Sequence, residues 1–176
     1  MSCDCWSLSD IKGLKYWNVS NGNNFNHMFH NCKSLSDISA NQNKNVSNGL
    51  DFEAMFIYCS SLSDINGLKS WNVSNGNNFC HTLSWYSSLI DIRALQNLNA
   101  SKGNNFKEMF YNCSLLYNIK ELQYWNVSNG NNFSYMFNAL SDISALQNWN
   151  VSNGENFSYI VQKMFIIWKL EYFKWS

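Results

Sequence analysis

Three residue types in this chain could do chemistry, and each recurs at a fixed interval. Cys5, Cys32, Cys59 and Cys113 share one register, with Tyr86 in that place in the fourth copy. A file of thiols could ligate zinc or join neighbouring copies by disulfides. Zinc wants four converging ligands, usually with close Cys-x-x-Cys pairs, and Cys3-x-Cys5 is the one close pair here. Tyr86 shows that the file does without sulfur, so the expectation is a small buried hydrophobe in each copy, with reduced thiols. Cys80, outside the register, is expected to be exposed. His27 and His81 share a second register, and His30 lies one helical turn from His27. No Cys or carboxylate stands beside them at ligand spacing, so they read as surface histidines on a helix flank.

The third type is asparagine. Asn-x-Ser occurs at Asn18, Asn45, Asn72, Asn99, Asn126 and Asn150, and again at Asn112, Asn132 and Asn156. Read literally, these are glycan acceptors. A register kept in every copy instead favours a ladder of buried amides satisfying loop backbone groups. Gly22, Gly49, Gly76, Gly103, Gly130 and Gly154 could cradle phosphate, but no Lys-Ser/Thr follows them. A bend needing positive φ, or close stacking, explains them better. Gly-x-Ser-x-Gly, His-Glu-x-x-His and a Ser/His/Asp grouping are absent. The expectation is therefore no enzyme, with no catalytic, metal or cofactor residues.

What must position these side chains is a repeat. The acidic position of Leu-x-Asp-Ile recurs at Asp10, Asp37, Asp64 and Asp91, then as Asn118, 27 residues apart each time, and at Asp142 after 24. Phe25, Phe52, Phe79, Phe106, Phe133 and Phe157 keep the same step. Within a copy, Phe25, Met28, Phe29 and Cys32 stand at i, i+3, i+4 and i+7, the spacing of one face of a short helix, with Ser20 or Asn21 as its cap. Leu62, Ile65, Leu68, Trp71 and Val73 suit a short strand between bends. Asn21-Gly22 is also a hairpin signal, but pairing across it would mismatch the apolar faces. One unit cannot bury enough apolar surface to stand alone, so neighbours must stack.

The unit Met55-Phe56-x-x-Cys59-Ser60-Ser61-Leu62-Ser63-Asp64-Ile65, followed by Trp71-Asn72-Val73-Ser74-Asn75-Gly76, resembles the BspA-like leucine-rich repeat over roughly residues 5 to 160. That class occurs in bacterial surface proteins and in protist and giant-virus proteins. The resemblance implies a right-handed leucine-rich-repeat solenoid of the α+β kind and a binding or adhesive role. The expected architecture is thus about six 27-residue units, each a short strand plus a short helix, over 1–157. Residues 158–176 would follow as an apolar capping helix, able to support self-association.

The chain has 176 residues with 12 Lys+Arg against 12 Asp+Glu, and no basic cluster, which removes the electrostatic attraction that dominates nucleic-acid binding. Its 30 Asn and 25 Ser are offset by 12 Phe, 9 Tyr and 8 Trp, too aromatic for a disordered polar tract. The N-terminus does not read as a secretory signal, which gives an intracellular default with surface display as the alternative. The longest apolar stretch is interrupted by Lys163, Lys169, Glu171 and Lys174, so no transmembrane segment is expected. The pair column Lys15-Tyr16, Gln42-Asn43, Lys69-Ser70, Gln96-Asn97, Gln123-Tyr124 and Gln147-Asn148 varies while its neighbours do not. Lys15, Tyr16, Lys69, Gln96, Gln123 and Tyr124 are therefore the expected partner-binding residues, facing solvent and suited to protein or, alternatively, glycan. The expected function is a non-catalytic interaction or adhesion module. The rival is a folded repeat fragment of an expanded family with no dedicated activity.

Overall fold

The computed structural model describes residues 4–137, 140 and 142–161. Successive copies lie side by side, like against like. Phe25, Phe52, Phe79, Phe106, Phe133 and Phe157 form one continuous file, with ring centroids 5.4–5.6 Å apart and planes within 12° of parallel. Phe29 stacks on Phe56, and Phe110 on Phe137. Leu35, Leu62, Leu89 and Leu116 are buried in one core with them, as are Ile38, Ile65, Ile92 and Ile119.

The units are not built as the sequence spacing suggests. Among the described residues there is no α-helix and no β-strand, so the expected stack of strand-plus-helix units is overturned. Regular structure is limited to short 3₁₀ turns at Lys12–Leu14, Ser39–Asn41, Asn66–Leu68, Arg93–Leu95, Lys120–Tyr124 and Ser144–Leu146. The segment expected to be helical, 25–32, is a run of turns. Met28, His30 and Cys32 donate backbone N–H to the carbonyls three residues before them. Phe25, His27, Phe29 and Asn31 donate instead to Asp51, Glu53, Met55 and Ile57 of the next copy. A helix would keep all of those bonds inside the segment. Every second donor is spent between copies, and the left-handed φ of His27 (52°) and Asn31 (57°) turns the chain so that this can happen. Phe25, Phe29 and Cys32 are buried all the same. The apolar spacing records burial, which this chain of turns satisfies as a helix would.

The segment expected as a strand fares likewise. Asn66–Leu68 is a 3₁₀ turn, and pairing between copies consists of isolated parallel bridges such as Asn24 to Asp51, Asp51 to Asn78 and Asn78 to Asn105. Neither is Asn21-Gly22 a hairpin. Gly22 donates its N–H to the Val19 carbonyl and closes a turn in which it stands last, where glycine is favoured.

Short polar side chains hold the bends. Asp10, Asp37, Asp64, Asp91, Asn118 and Asp142 each accept the N–H two residues on, at 2.7–3.1 Å, and so launch each 3₁₀ turn. The sequon asparagines do the same. Asn18, Asn45, Asn72, Asn99, Asn126 and Asn150 are exposed and accept from the serine N–H two residues on, at 3.0–3.1 Å. The expected ladder of buried amides is therefore incorrect at this column. A ladder between copies exists three residues later, where Asn48, Asn75, Asn129 and Asn153 donate Nδ2 to the serine carbonyl of the preceding copy.

Gly22, Gly76 and their equivalents stand against the phenylalanine file. A Cβ on Gly22 would lie 2.7 Å from Phe25 Cζ, and one on Gly76 2.5 Å from Phe79 Cζ. None of these glycines has positive φ, so close stacking alone explains the column. Val161 still pairs with Phe137. The remainder of the expected 158–176 capping helix lies outside the described residues, and so does Cys3. Among the described residues no helix is long and apolar enough to cross a membrane.

Candidate functional site

Three thiols of the file lie in the core. Cys32, Cys59 and Cys113 are buried, whereas Cys5 is exposed. Cys59 and Cys113 donate Sγ–H to the carbonyls of Phe29 and Leu83 at 3.2 and 3.1 Å. Burial pushes both thiols up to about 12, far from the thiolate that metal binding or nucleophilic attack requires. Tyr86 replaces sulfur in this file and is wholly buried. Cys80, expected at the surface, is buried too. Burial first and then the charge of Glu53 push its thiol up to about 11. No group of three or more potential metal ligands occurs among the described residues.

Stacking assembles one polar cluster, because His81 and Glu108 stand 27 residues apart in one register of neighbouring copies. His81 Nδ1 lies 3.4 Å from Glu108 Oε2 and 3.5 Å from Ser84 Oγ. These are the residue types of a hydrolytic triad, but both contacts fall on the same ring nitrogen. A proton relay needs the acid on one nitrogen and the nucleophile on the other. Ser84 is buried, and its hydroxyl donates to the Glu108 carbonyl. Burial lowers the His81 pKa from its ordinary value, against the opposing pull of Glu108. The cluster ties copies together.

The varied pair column is where the sequence places it, in solvent. Lys15, Lys69, Gln96 and Gln123 are exposed, and Tyr16 and Tyr124 retain 88% and 73% of their accessible surface. Lys15 and Tyr16 flank an open groove of about 520 Å³ that also takes in Lys12, Trp17 and Lys44. Lys44 is occupied by structure. Its ammonium donates to the carbonyls of Leu14, Lys15 and Trp17 at 2.6–2.9 Å. In the third, fifth and sixth copies a tryptophan stands in its place, with Leu98 in the fourth, and Trp71 and Trp125 bond the equivalent carbonyls of Asn41 and Leu95 through Nε1. No shared ring contact or hydrogen bond joins Lys69, Gln96 and Gln123 into a formed site.

A second surface was not anticipated. Tyr58, Trp85, Tyr111, Tyr135 and Tyr159 touch in sequence, with centroids 5.3, 5.8, 6.1 and 4.9 Å apart. His30 extends the ridge, 5.9 Å from Tyr58. Tyr58 and Trp85 are exposed, Tyr159 strongly so, and Tyr111 and Tyr135 are half-buried. The ridge runs obliquely: Tyr58 and Trp85 belong to one register, Tyr111 to the position before it, and Tyr135 and Tyr159 to a third. Four of its rings sit on left-handed backbone, with φ of 61° at Tyr58, 64° at Trp85, 55° at Tyr135 and 52° at Tyr159. Bulky residues rarely adopt that region.

Compared with known families, the chain matches a model described as Mycoplasma protein of unknown function, DUF285, over residues 7–89 and again over 82–168. It belongs to that family. No curated protein and no solved structure is similar to it. The two DUF285 matches overlap across the segment that carries Trp85 and Tyr86, so the ridge runs through both.

Proposed function

We propose that this DUF285 chain is a non-catalytic binding module of the BspA-like kind, meeting its ligand along the side of the stack. The observation that carries the reading is the aromatic ridge, in which Tyr58, Trp85 and Tyr159 are exposed and four of the five rings sit on left-handed backbone although every copy could place Gly or Asn there. Exposed contiguous aromatics mark interaction surfaces more often than scattered ones do. The buried, protonated thiols and the single-nitrogen geometry at His81 favour binding over turnover. The Met-Phe-x-x-Cys-x-x-Leu core shared with BspA-like repeats supports the same class. The pair column with Lys15 and Lys69 is the competing contact face.

The test is to probe the labelled chain against arrays of immobilised proteins and oligosaccharides, with calorimetry on the strongest feature. Saturable binding of defined stoichiometry, accompanied by no hydrolysis across an esterase and glycosidase panel, is expected. No saturable feature on either array, or turnover of a panel substrate, overturns the reading. Charge reversal at Lys15 and Lys69 separates the faces, and unchanged affinity removes the pair column.

A further inference from the structure

Neighbouring copies are joined by a recurring set of hydrogen bonds, and the sense of each bond is fixed. Three kinds run back to the copy before: Trp149 Nε1 donates to the Leu122 carbonyl, Asn153 Nδ2 to the Ser128 carbonyl, and the Glu155 N–H to the Asn131 carbonyl. A fourth runs forward, from the Tyr135 N–H to the Ser158 carbonyl. The end copies therefore hold half a set each. At the leading end the corresponding groups are three donors, Trp17 Nε1, Asn21 Nδ2 and the Asn23 N–H, and one acceptor, the Asn26 carbonyl. Among the described residues none of the four has a hydrogen-bond partner. At the trailing end the corresponding groups are the carbonyls of Leu146, Ser152 and Glu155 and the N–H of Tyr159. Among the described residues no further copy reaches those carbonyls, and nothing accepts the Tyr159 N–H.

Apolar packing is halved in the same places. Val46, Val73 and Val127 are buried inside the stack, whereas Val19 and Val151, in that register at the two ends, are half-buried. Met28 is half-buried where Met55, Met109 and Met136 are buried, and with Val19 and Phe25 it lines an open groove of about 570 Å³. A row of unpaired N–H and C=O groups beside an apolar surface is a template for another chain. The trailing end of this same chain supplies three acceptors and one donor in the order that the leading end requires. Two leading ends brought together would set the donors of Trp17, Asn21 and Asn23 against the same donors. A contact between unlike ends does not close on itself and is open to repetition.

We propose that the chain associates end to end with further copies of itself, the trailing copy of one molecule stacking on the leading copy of the next so that the repeat continues across the junction. Trp17 then donates to Leu146 of the neighbouring molecule, Asn21 to its Ser152 and Asn23 to its Glu155, while its Tyr159 donates to Asn26. This assignment is independent of the aromatic ridge and of what the ridge binds.

The experiment is sedimentation velocity of the full chain over a concentration series, with Val19→Lys as a variant of the leading end and Val151→Lys as a variant of the trailing end. The average mass of the parent should rise with concentration and pass that of a dimer. Each variant alone should be monomeric, because every junction needs one end of each kind. Their equimolar mixture should form a dimer and stop there, since the intact trailing end of Val19→Lys meets the intact leading end of Val151→Lys. Trp17→Phe removes a single donor and should weaken association by roughly three- to tenfold. A parent that stays monomeric at every concentration, as it would if residues 162–176 covered the trailing end, overturns the proposal. Dimers of Val151→Lys alone would show like ends pairing and overturn it too, as would a mixture of the two variants that stays monomeric. Should a lysine variant lose its cooperative thermal transition, Trp17→Phe decides, and association as tight as the parent's overturns the proposal.

Discussion

Two files of aromatic rings cross successive copies of this repeat, and they obey opposite rules. The phenylalanine file keeps one residue type in one register, with planes nearly parallel and the rings of Phe52, Phe79, Phe106 and Phe133 at most 2% exposed. The ridge changes register twice, mixes Tyr with Trp, turns its planes by 71° and 86° on either side of Tyr111 and leaves Tyr58, Trp85 and Tyr159 exposed. A column held constant is what identical neighbours need in order to bury one another. A file that wanders between columns while remaining continuous is not required by stacking. Its continuity calls for another cause, and a ligand that spans copies is one.

The sharpest way to break the contrast is to remove a ring from each file. Phe79→Ala deletes a side chain packed between Phe52 and Phe106 and should cost about 3–5 kcal/mol, as large cavities in close-packed cores do. A urea midpoint that hardly moves would mean the file is not the core. Trp85→Asn should behave differently. It relieves roughly 1–2 kcal/mol of left-handed strain and forfeits about 0.5–1.5 kcal/mol in each of two ring contacts. The net change in unfolding free energy should stay within about 1–2 kcal/mol on the same opposing terms. A loss as large as that of Phe79→Ala would make the ridge structural.

Glycines give the next largest effect and carry their own control. Gly103→Ala sets a methyl against the Phe106 ring and 2.9 Å from the Ala100 carbonyl, and should cost about 1–3 kcal/mol by overpacking. Gly13→Ala meets nothing within 4 Å and should be neutral or slightly stabilising. Equal effects at the two sites would detach the glycine column from the phenylalanine file.

The register of 27, the alignment of copies and the phenylalanine file are legible in the sequence because they depend on which side chains must be buried together. Secondary structure is not, since the spacing of Phe25, Met28, Phe29 and Cys32 fits either a helix or turns whose alternate N–H groups reach the next copy. Only the backbone distinguishes them, through left-handed residues such as His27 and Tyr58, whose types do not announce it. The Asn18 column misled for a related reason. An invariant amide can serve its own turn at the surface as well as a ladder inside. The ridge was invisible to reading by columns because Tyr111 and Tyr135 belong to different ones, whereas the contact of His81 with Glu108 joins two members of a single column in adjacent copies. The exposure of Lys15, Tyr16 and Tyr124 followed from variability alone, but variability does not say which exposed face is assembled.

The smallest effect sharpens the distinction between a constant residue and a constant role. Asp37 and Asp142 are held below the ordinary carboxylate range, first by the backbone N–H groups of Ser39 and Ser144 that they accept. A carboxyl whose pKa is lower in the folded than in the unfolded chain adds stability above its unfolded value of about 3.9, and that stability is lost as pH falls through the folded value. Asn118 performs the same turn at 3.1 Å without a charge. The variant Asp37→Asn/Asp142→Asn should therefore differ little from the parent at pH 7, and its urea midpoint should fall less on going from pH 7 to pH 3. Parallel declines in the two proteins would show that these carboxylates titrate alike folded and unfolded. The acidic column would then be kept for something other than its turn.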